Sequence, residues 1–237
     1  MGFADKEHID FVEGEILAFD KPLHWTSFDL VAKVRYTVCH TIGQKKLKVG
    51  HSGTLDPLAT GVVVVCTGRK TKMIDQLQYD DKEYIATLQL GATTPSFDME
   101  HPVDKTYPTA HITRALVDEV IPQFTGEQWQ VPPMYSAVWV DGKRAYQMAR
   151  KGETVELKPK LLVIDEIEVL AFDAETMLLT IRVVCSKGTY IRALARDIGE
   201  RLGSGAYLTA LRRTRVGNIR IENCMTIDDF LGMMNQK

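Results

Sequence analysis

The sequence predicts an α+β fold with a mixed sheet, and three observations carry that prediction. The unbroken apolar run Val62-Val63-Val64-Val65-Cys66 reads as a strand buried on both faces. Two later segments, 161–171 and 177–185, read as strands joined by the short polar link Asp173-Ala174-Glu175. Helical stripes interrupt the strands without the regular alternation of a doubly wound fold.

The elements follow in order. Residues 1–13 are expected to be loose, and Gly14 to Phe19 reads as a strand ending at Asp20-Lys21-Pro22. Ser27 is placed to cap a helix whose apolar residues Leu30, Val31, Val34 and Val38 repeat every three to four positions. A basic loop, Gln44 to Lys48, leads into a turn at Asp56-Pro57, and the valine run follows. Residues 82–90 alternate as a strand should. Residues 91–108 read as a long irregular insertion, which in a compact domain points to function or mobility. A helix is expected near 111–121, a hairpin turn at Asp141-Gly142, and a short helix from Ala145 to Lys151. In 177–185, Met177, Leu179, Ile181, Val183 and Cys185 share one face. Ile191, Leu194, Ile198 and Leu202 form the apolar stripe of a further helix. With no repeat, low-complexity tract or Gly/Ser linker, the chain reads as a single domain, 1–237, closing on a short C-terminal remnant at 218–237.

Composition narrows the function classes. A chain of 237 residues with 45% hydrophobic content can bury a sizeable core. The N-terminus, MGFADKEHIDFVEG, lacks the apolar segment of a signal peptide, and no apolar run is long enough to span a bilayer. Cys39, Cys66, Cys185 and Cys224 lie far apart with no metal-ligand spacing, so buried free thiols in a reducing cytoplasm are expected. The net charge of -2 conceals a polarised distribution. From Lys187 to Arg220 eight basic residues face only Asp197 and Glu200. A second basic stretch holds Lys143, Arg144, Arg150, Lys151, Lys158 and Lys160. Together they suggest a surface for nucleic acid.

The segment from Val49 to Lys72 is the most informative. It places one carboxylate, Asp56, in a tight turn between a small polar loop and the valine strand, with Gly50, Gly53 and Pro57 fixing the backbone. Gly61 to Thr71 has the glycines of a phosphate-binding loop, but six residues separate Gly61 from Gly68 where that loop needs four, and they are mostly strand-forming valines. The block Gly50-His51-Ser52-Gly53-Thr54-Leu55-Asp56-Pro57-Leu58-Ala59-Thr60-Gly61 instead resembles the central motif of the TruB family of tRNA pseudouridine synthases. Further similarity lies in Lys21-Pro22, in Val131 to Ala137 with Gly142 to Tyr146, in Lys187-Gly188-Thr189-Tyr190-Ile191-Arg192, and in Leu208 to Thr214. The resemblance runs from about Gly14 to Gly217.

It implies the pseudouridine synthase fold, a largely antiparallel central sheet with helices and loops around an active-site cleft. It also implies isomerisation of uridine 55 in the T loop of tRNA, with no metal or organic cofactor and no obligatory protein partner. Asp56 is implied as the essential carboxylate. Tyr84 is implied to stack on the uracil and assist removal of the C5 proton, and Arg192 to pair with Asp56. His51 is implied to pack against the T loop, Tyr190 to line the base pocket, and Leu211 to neighbour the flipped base. Lys21 is implied to support the catalytic loop, and Lys187 to join the substrate-binding set.

Without the resemblance, Tyr84 reads as a strand aromatic, Arg192 as a surface helix residue and Leu211 as a core leucine. Three departures stand out: His24 in place of a usual glycine, Thr94 to His101 in place of an acidic loop pattern, and a chain ending about twenty residues after Gly217. A guide-RNA-dependent synthase subunit and a tRNA-binding folding factor are the alternative readings.

Overall fold

The computed structural model describes residues 9–235. The chain divides into two compact units, one comprising residues to Tyr84 together with those from Arg212, the other Ile85–Leu211.

The first unit opens with β1 (Ile16–Lys21), α1 (Ser27–Thr41), β2 (Val49–Ser52) and β3 (Ala59–Thr67), then α2 (Ile74–Leu77) and the start of β4 (Lys82–Leu90). The valine run becomes β3, and Val62 through Cys66 are fully buried, as a strand covered on both faces must be. β1 and β2 flank β3 antiparallel, with Ile16 opposite Cys66 and Val49 opposite Thr67. The expected loose N-terminus lies largely outside the described residues. What is described is a turn in which the Asp10 carboxylate accepts from Val12 and Glu13 amides, with Phe11 buried.

The second unit continues β4 and adds the two-residue ladder of β5 (Ala92–Thr93) and β6 (Lys105–Thr106). There follow α3 (Arg114–Val120), β7 (Gly126–Gln130), β8 (Trp139–Val140), β9 (Lys143–Arg144) and α4 (Ala145–Ala149). β10 (Lys160–Asp173), β11 (Leu178–Cys185), α5 (Ile191–Arg201) and the first part of β12 (Ala206–Val216) complete it. Its strand order is β12-β4-β11-β10-β7, with β10 antiparallel to both neighbours. Leu179, Ile181, Val183 and Cys185 share the buried face that their spacing predicts. On β4 the period of two buries Lys82, Tyr84, Ala86, Leu88 and Leu90. The Asp141-Gly142 turn has φ of 46° and 79°, the left-handed pair of a two-residue hairpin.

The rest of β12 returns the chain to the first unit, followed by β13 (Ile219–Arg220) and α6 (Ile227–Asn235). In that unit the order is β1-β3-β12-β4, with β2 on β3 and β13 on β12. The Phe230 ring of α6 meets Phe19 of β1 edge-on, with centroids 5.4 Å apart.

One local expectation is corrected. Thr26, not Ser27, caps α1: its hydroxyl accepts from the Asp29 amide at 2.9 Å while the Asp29 carboxylate accepts from the Thr26 amide at 2.8 Å. These bonds hold the Asp29 carboxyl below its usual pKa. Ser27 is thereby the first helical residue, and its buried hydroxyl is turned to a different use.

Candidate active site

The first unit gathers Lys21, His51, Asp56 and Tyr84. Asp56 is half-buried in the turn between β2 and β3, where its carbonyl accepts from the Ala59 amide at 3.0 Å. Six hydrogen bonds with three residues fix this turn. The Ser27 hydroxyl accepts from the Leu55 amide at 2.9 Å and donates to the Leu55 carbonyl at 3.2 Å. The Arg213 guanidinium donates to the carbonyls of Val62 at 2.7 Å, Gly53 at 3.2 Å and Thr54 at 3.4 Å. The His24 amide donates to the Pro57 carbonyl at 2.8 Å. Behind the turn, Gly61 has a φ of 113°, and a Cβ there would collide with the Arg213 carbonyl. A carboxylate on a loop held this way is preorganised rather than searching for its position.

His24 resolves one departure from the family motif. Its φ is 67°, so the histidine adopts the left-handed backbone that a glycine would adopt freely. The residue carries the strain of that backbone.

Lys21 has no exposed surface, and its ammonium donates to the carbonyls of Trp25 at 2.6 Å and Pro22 at 3.0 Å. Burial lowers its pKa to about 8, against the opposing pull of the Asp56 carboxylate. Lys21 is therefore a buried countercharge that organises the loop from beneath. His51 sits opposite Val65 in the β2–β3 ladder. Burial pushes its imidazole pKa down, a Gly53 backbone hydrogen bond opposes this, and the Arg213 charge adds to the lowering. Burial and the Arg213 charge both disfavour the protonated ring. Tyr84 is 8% exposed, on the buried face of β4.

The second unit gathers Lys187, Tyr190, Arg192 and Leu211. Tyr190 precedes α5, and the Gln130 side-chain amide grips its backbone, accepting from the Tyr190 amide at 2.9 Å and donating to its carbonyl at 3.2 Å. Arg192, read from periodicity as a surface residue, is only 5% exposed. It donates to the carbonyls of Tyr135 at 2.9 Å and Ser96 at 3.2 Å, and its Nε lies 3.7 Å from the Asp98 carboxylate. Asp98 also accepts from the Ser96 hydroxyl at 2.6 Å and the Glu100 amide at 2.9 Å. The segment read as irregular thus contains a buried polar knot, with Phe97 at a φ of 60° and its ring beneath Arg196 at 5.3 Å. Leu211 is half-buried rather than core, and Lys187 is exposed.

The basic stretch from Lys187 to Arg220 is less available than its composition suggests. Arg192 and Arg213 turn inward, and Arg212 pairs with Asp20 at 2.7 Å. In the other basic stretch Arg144 lies over the Trp139 ring at 4.1 Å, while Lys143, Lys151, Lys158 and Lys160 are exposed. The anchoring roles of Arg213, Ser27 and Asp98 are absent from the sequence reading, in which Ser27 figures only as a helix cap. Arg213 counted only as one charge among eight, although its place beside Leu211 in a matched motif was a usable signal.

A carboxylate fixed in a loop at the mouth of a core strand, beside a buried lysine and a half-exposed histidine, defines a base-modifying enzyme of the pseudouridine synthase class. Residues 40–191 match the family model described as TruB family pseudouridylate synthase (N terminal domain), and residues 192–237 match that of the tRNA pseudouridylate synthase B C-terminal domain. The chain is 62% identical over 229 residues to tRNA pseudouridine synthase B of Phocaeicola vulgatus, covering 97% of each chain. It is 63% identical over 224 residues to the protein of that name from Bacteroides thetaiotaomicron, covering 94% of this chain and 93% of the relative. Among solved structures it resembles a chain of a Cbf5-Nop10-Gar1 complex, at 29% identity and a TM-score of 0.69. That match covers 94% of this chain and 54% of the other. The chain belongs to the TruB family of pseudouridylate synthases.

Among the described residues, no helix is long and apolar enough to cross a membrane.

Proposed function

We propose that this protein isomerises uridine 55 in the T loop of tRNA to pseudouridine, with Asp56 as the essential carboxylate. The observation that carries the reading is the anchored Asp56 turn, whose preceding residues Gly53 and Leu55 are fixed by side chains from β12 and α1. The base leaves its stack, at a cost of about a few kcal/mol offset by loop and phosphate contacts. The N1–C1′ bond then breaks, the uracil turns, and C5 bonds to C1′; C5 gives up a proton and N1 gains one, so the product is an isomer. Asp56 acts on the sugar or the base. Tyr84 stacks on the ring and assists the C5 deprotonation, and Arg192 favours the ionised form of Asp56, roles that rest on the motif resemblance.

Exposed lysines at 143–160, together with Lys187, supply the phosphate grip. The T arm is the main recognised element, so an isolated T-arm hairpin reacts within about tenfold of intact tRNA in kcat/KM, about 1.4 kcal/mol.

The test uses tRNA transcript and T-arm hairpin with no other RNA or protein present. Wild-type enzyme forms pseudouridine at position 55 in both, whereas Asp56→Asn binds tRNA with similar affinity and gives no turnover. Product formed by Asp56→Asn defeats the assignment of the carboxylate. Turnover that requires an added guide RNA favours the guide-dependent reading.

A further inference from the structure

We infer that a basic cluster at the far end of the β2–β3 ladder is a second RNA grip, which holds tRNA phosphates outside the T arm. The inference rests on the reading of tRNA as substrate and adds a surface to it. Lys45, Lys46 and Lys48 stand exposed on the loop between α1 and β2. Arg69, Lys70 and Lys72 occupy the 3₁₀ turn Gly68–Met73 that follows β3, with Arg69 and Lys72 exposed and Lys70 half-buried.

Backbone pairing brings the two runs together. Val49 is opposite Thr67 in the ladder, and the Gly68 amide donates to the Lys48 carbonyl at 2.9 Å. Among the described residues, the exposed acids beside these runs are Glu13, 3.1 Å from Arg69, and Asp75 on α2. Six cations against two acids make a positive surface on a chain whose net charge is -2. Lys33 and Arg35 of α1 are half-buried, and Arg35 donates to the Val49 carbonyl at 3.1 Å, which holds α1 against the same corner.

Distance decides what this surface can touch. β3 runs nine residues from Ala59, beside the Asp56 turn, to Thr67, beside the cluster. At about 3.3 Å per residue that is about 26 Å. On the scale of the DNA per-strand phosphate spacing, about 3.4 Å of axis, the cluster lies roughly eight phosphates from the reacting nucleotide. A residue that far away has no part in the chemistry of the flipped base. It meets phosphates beyond the loop, and its lysines, with flexible stems and point charges, suit backbone rather than base recognition.

The experiment compares wild type with the variant carrying Lys45→Ala, Lys46→Ala and Lys48→Ala, and separately with Arg69→Ala/Lys72→Ala. All five positions are exposed and none belongs to the Asp56 site, so folding and single-turnover rate at saturating RNA stay at wild-type values. Binding of intact tRNA and of the T-arm hairpin is measured at several salt concentrations. The triple variant binds tRNA about fivefold more weakly near physiological salt, and its log–log salt slope falls by about two. Hairpin affinity stays unchanged. Unchanged tRNA affinity and slope overturn the inference, and equal losses for tRNA and hairpin overturn the placement outside the T arm. Binding is read independently of turnover, so failure to modify uridine 55 counts against the proposed activity and not against this surface.

Discussion

The hydroxyl of Ser27 closes a two-point bond with the backbone of Leu55, accepting from its amide and donating to its carbonyl. The residue gripped is the immediate neighbour of Asp56, so a side chain at the start of α1 sets the direction in which the carboxylate leaves the loop. Gln130 grips Tyr190 by the same device in the other unit. Both clamps use a neutral side chain that both accepts from and donates to the backbone of one residue.

Ser27→Ala leaves the buried Leu55 amide without that acceptor. Stability falls by about 1–3 kcal/mol, the cost of a buried unsatisfied group. Single-turnover rate falls more than tRNA affinity, because the loop that carries Asp56 loosens while the phosphate contacts remain. Thermal unfolding and single-turnover kinetics on the same preparation check this. A variant with wild-type stability and rate would show that the clamp is dispensable.

Arg213 and Lys187 separate a structural arginine from an RNA-facing lysine. Arg213→Lys keeps the charge but cannot span three carbonyls with one ammonium. It loses about 2–3 kcal/mol of stability and much of the turnover, while the salt dependence of tRNA binding is unaltered. Lys187→Ala does the converse, leaving stability intact and lowering the salt slope by about one. Denaturant titration and salt-dependent binding assays distinguish the two patterns, and exchanged outcomes would reverse the assignments.

His24→Gly relieves a left-handed residue that costs about 1–2 kcal/mol, against about 0.5–1 kcal/mol of added backbone entropy in the unfolded chain. The net change is a gain of up to about 1 kcal/mol with turnover preserved, readable from the denaturation midpoint. His24→Val, a branched side chain at the same φ, is destabilising. A destabilised glycine variant would mean that the imidazole makes a contact worth more than the strain.

Lys21 provides a pH signature. Its folded pKa of about 8 lies below the ordinary lysine value, so between about pH 8 and 10.5 the unfolded chain binds more protons than the folded one. The contribution of this group to stability therefore rises with pH across that window and is flat below it. Removing the Asp56 charge in Asp56→Asn removes an anion that favours the ammonium, so the Lys21 pKa drops further. NMR titration of the lysine side chain in both proteins reads the shift. An equal or higher pKa in the variant would place Lys21 outside the field of Asp56.

How much of this was legible in the sequence depends on how locally each feature is encoded. The β3 strand, the β11 face and the Asp141-Gly142 hairpin are written in contiguous residues, and the structure places them where the pattern does. The Asp56 turn is equally local. Arg192 was misread without the motif because the groups that bury it, Ser96, Asp98 and Tyr135, lie 57 to 96 residues away where they bond it and leave no mark on the helical period. Ser27 was taken for a cap because Thr26 and Ser27 are both good caps, and only the position of Leu55 decides which hydroxyl is needed elsewhere. Arg213 was hidden among neighbouring arginines, whose charges sum alike whether they face solvent or carbonyl oxygens.

The reach of Arg213 across 160 residues to Gly53 has a consequence for the life of the polypeptide. A nascent chain emerges from its N-terminus, so the acid-bearing turn leaves the ribosome long before the arginine that pins it. Contacts so distant in sequence form late, after the intervening loop has closed. Until β12 is in place the Gly53 and Thr54 carbonyls lack this guanidinium, and the turn has only its Ser27 and His24 anchors. The turn is therefore completed only after Arg213 has been made, and a chain that stalls or is clipped before it carries Asp56 with fewer of the contacts that aim it.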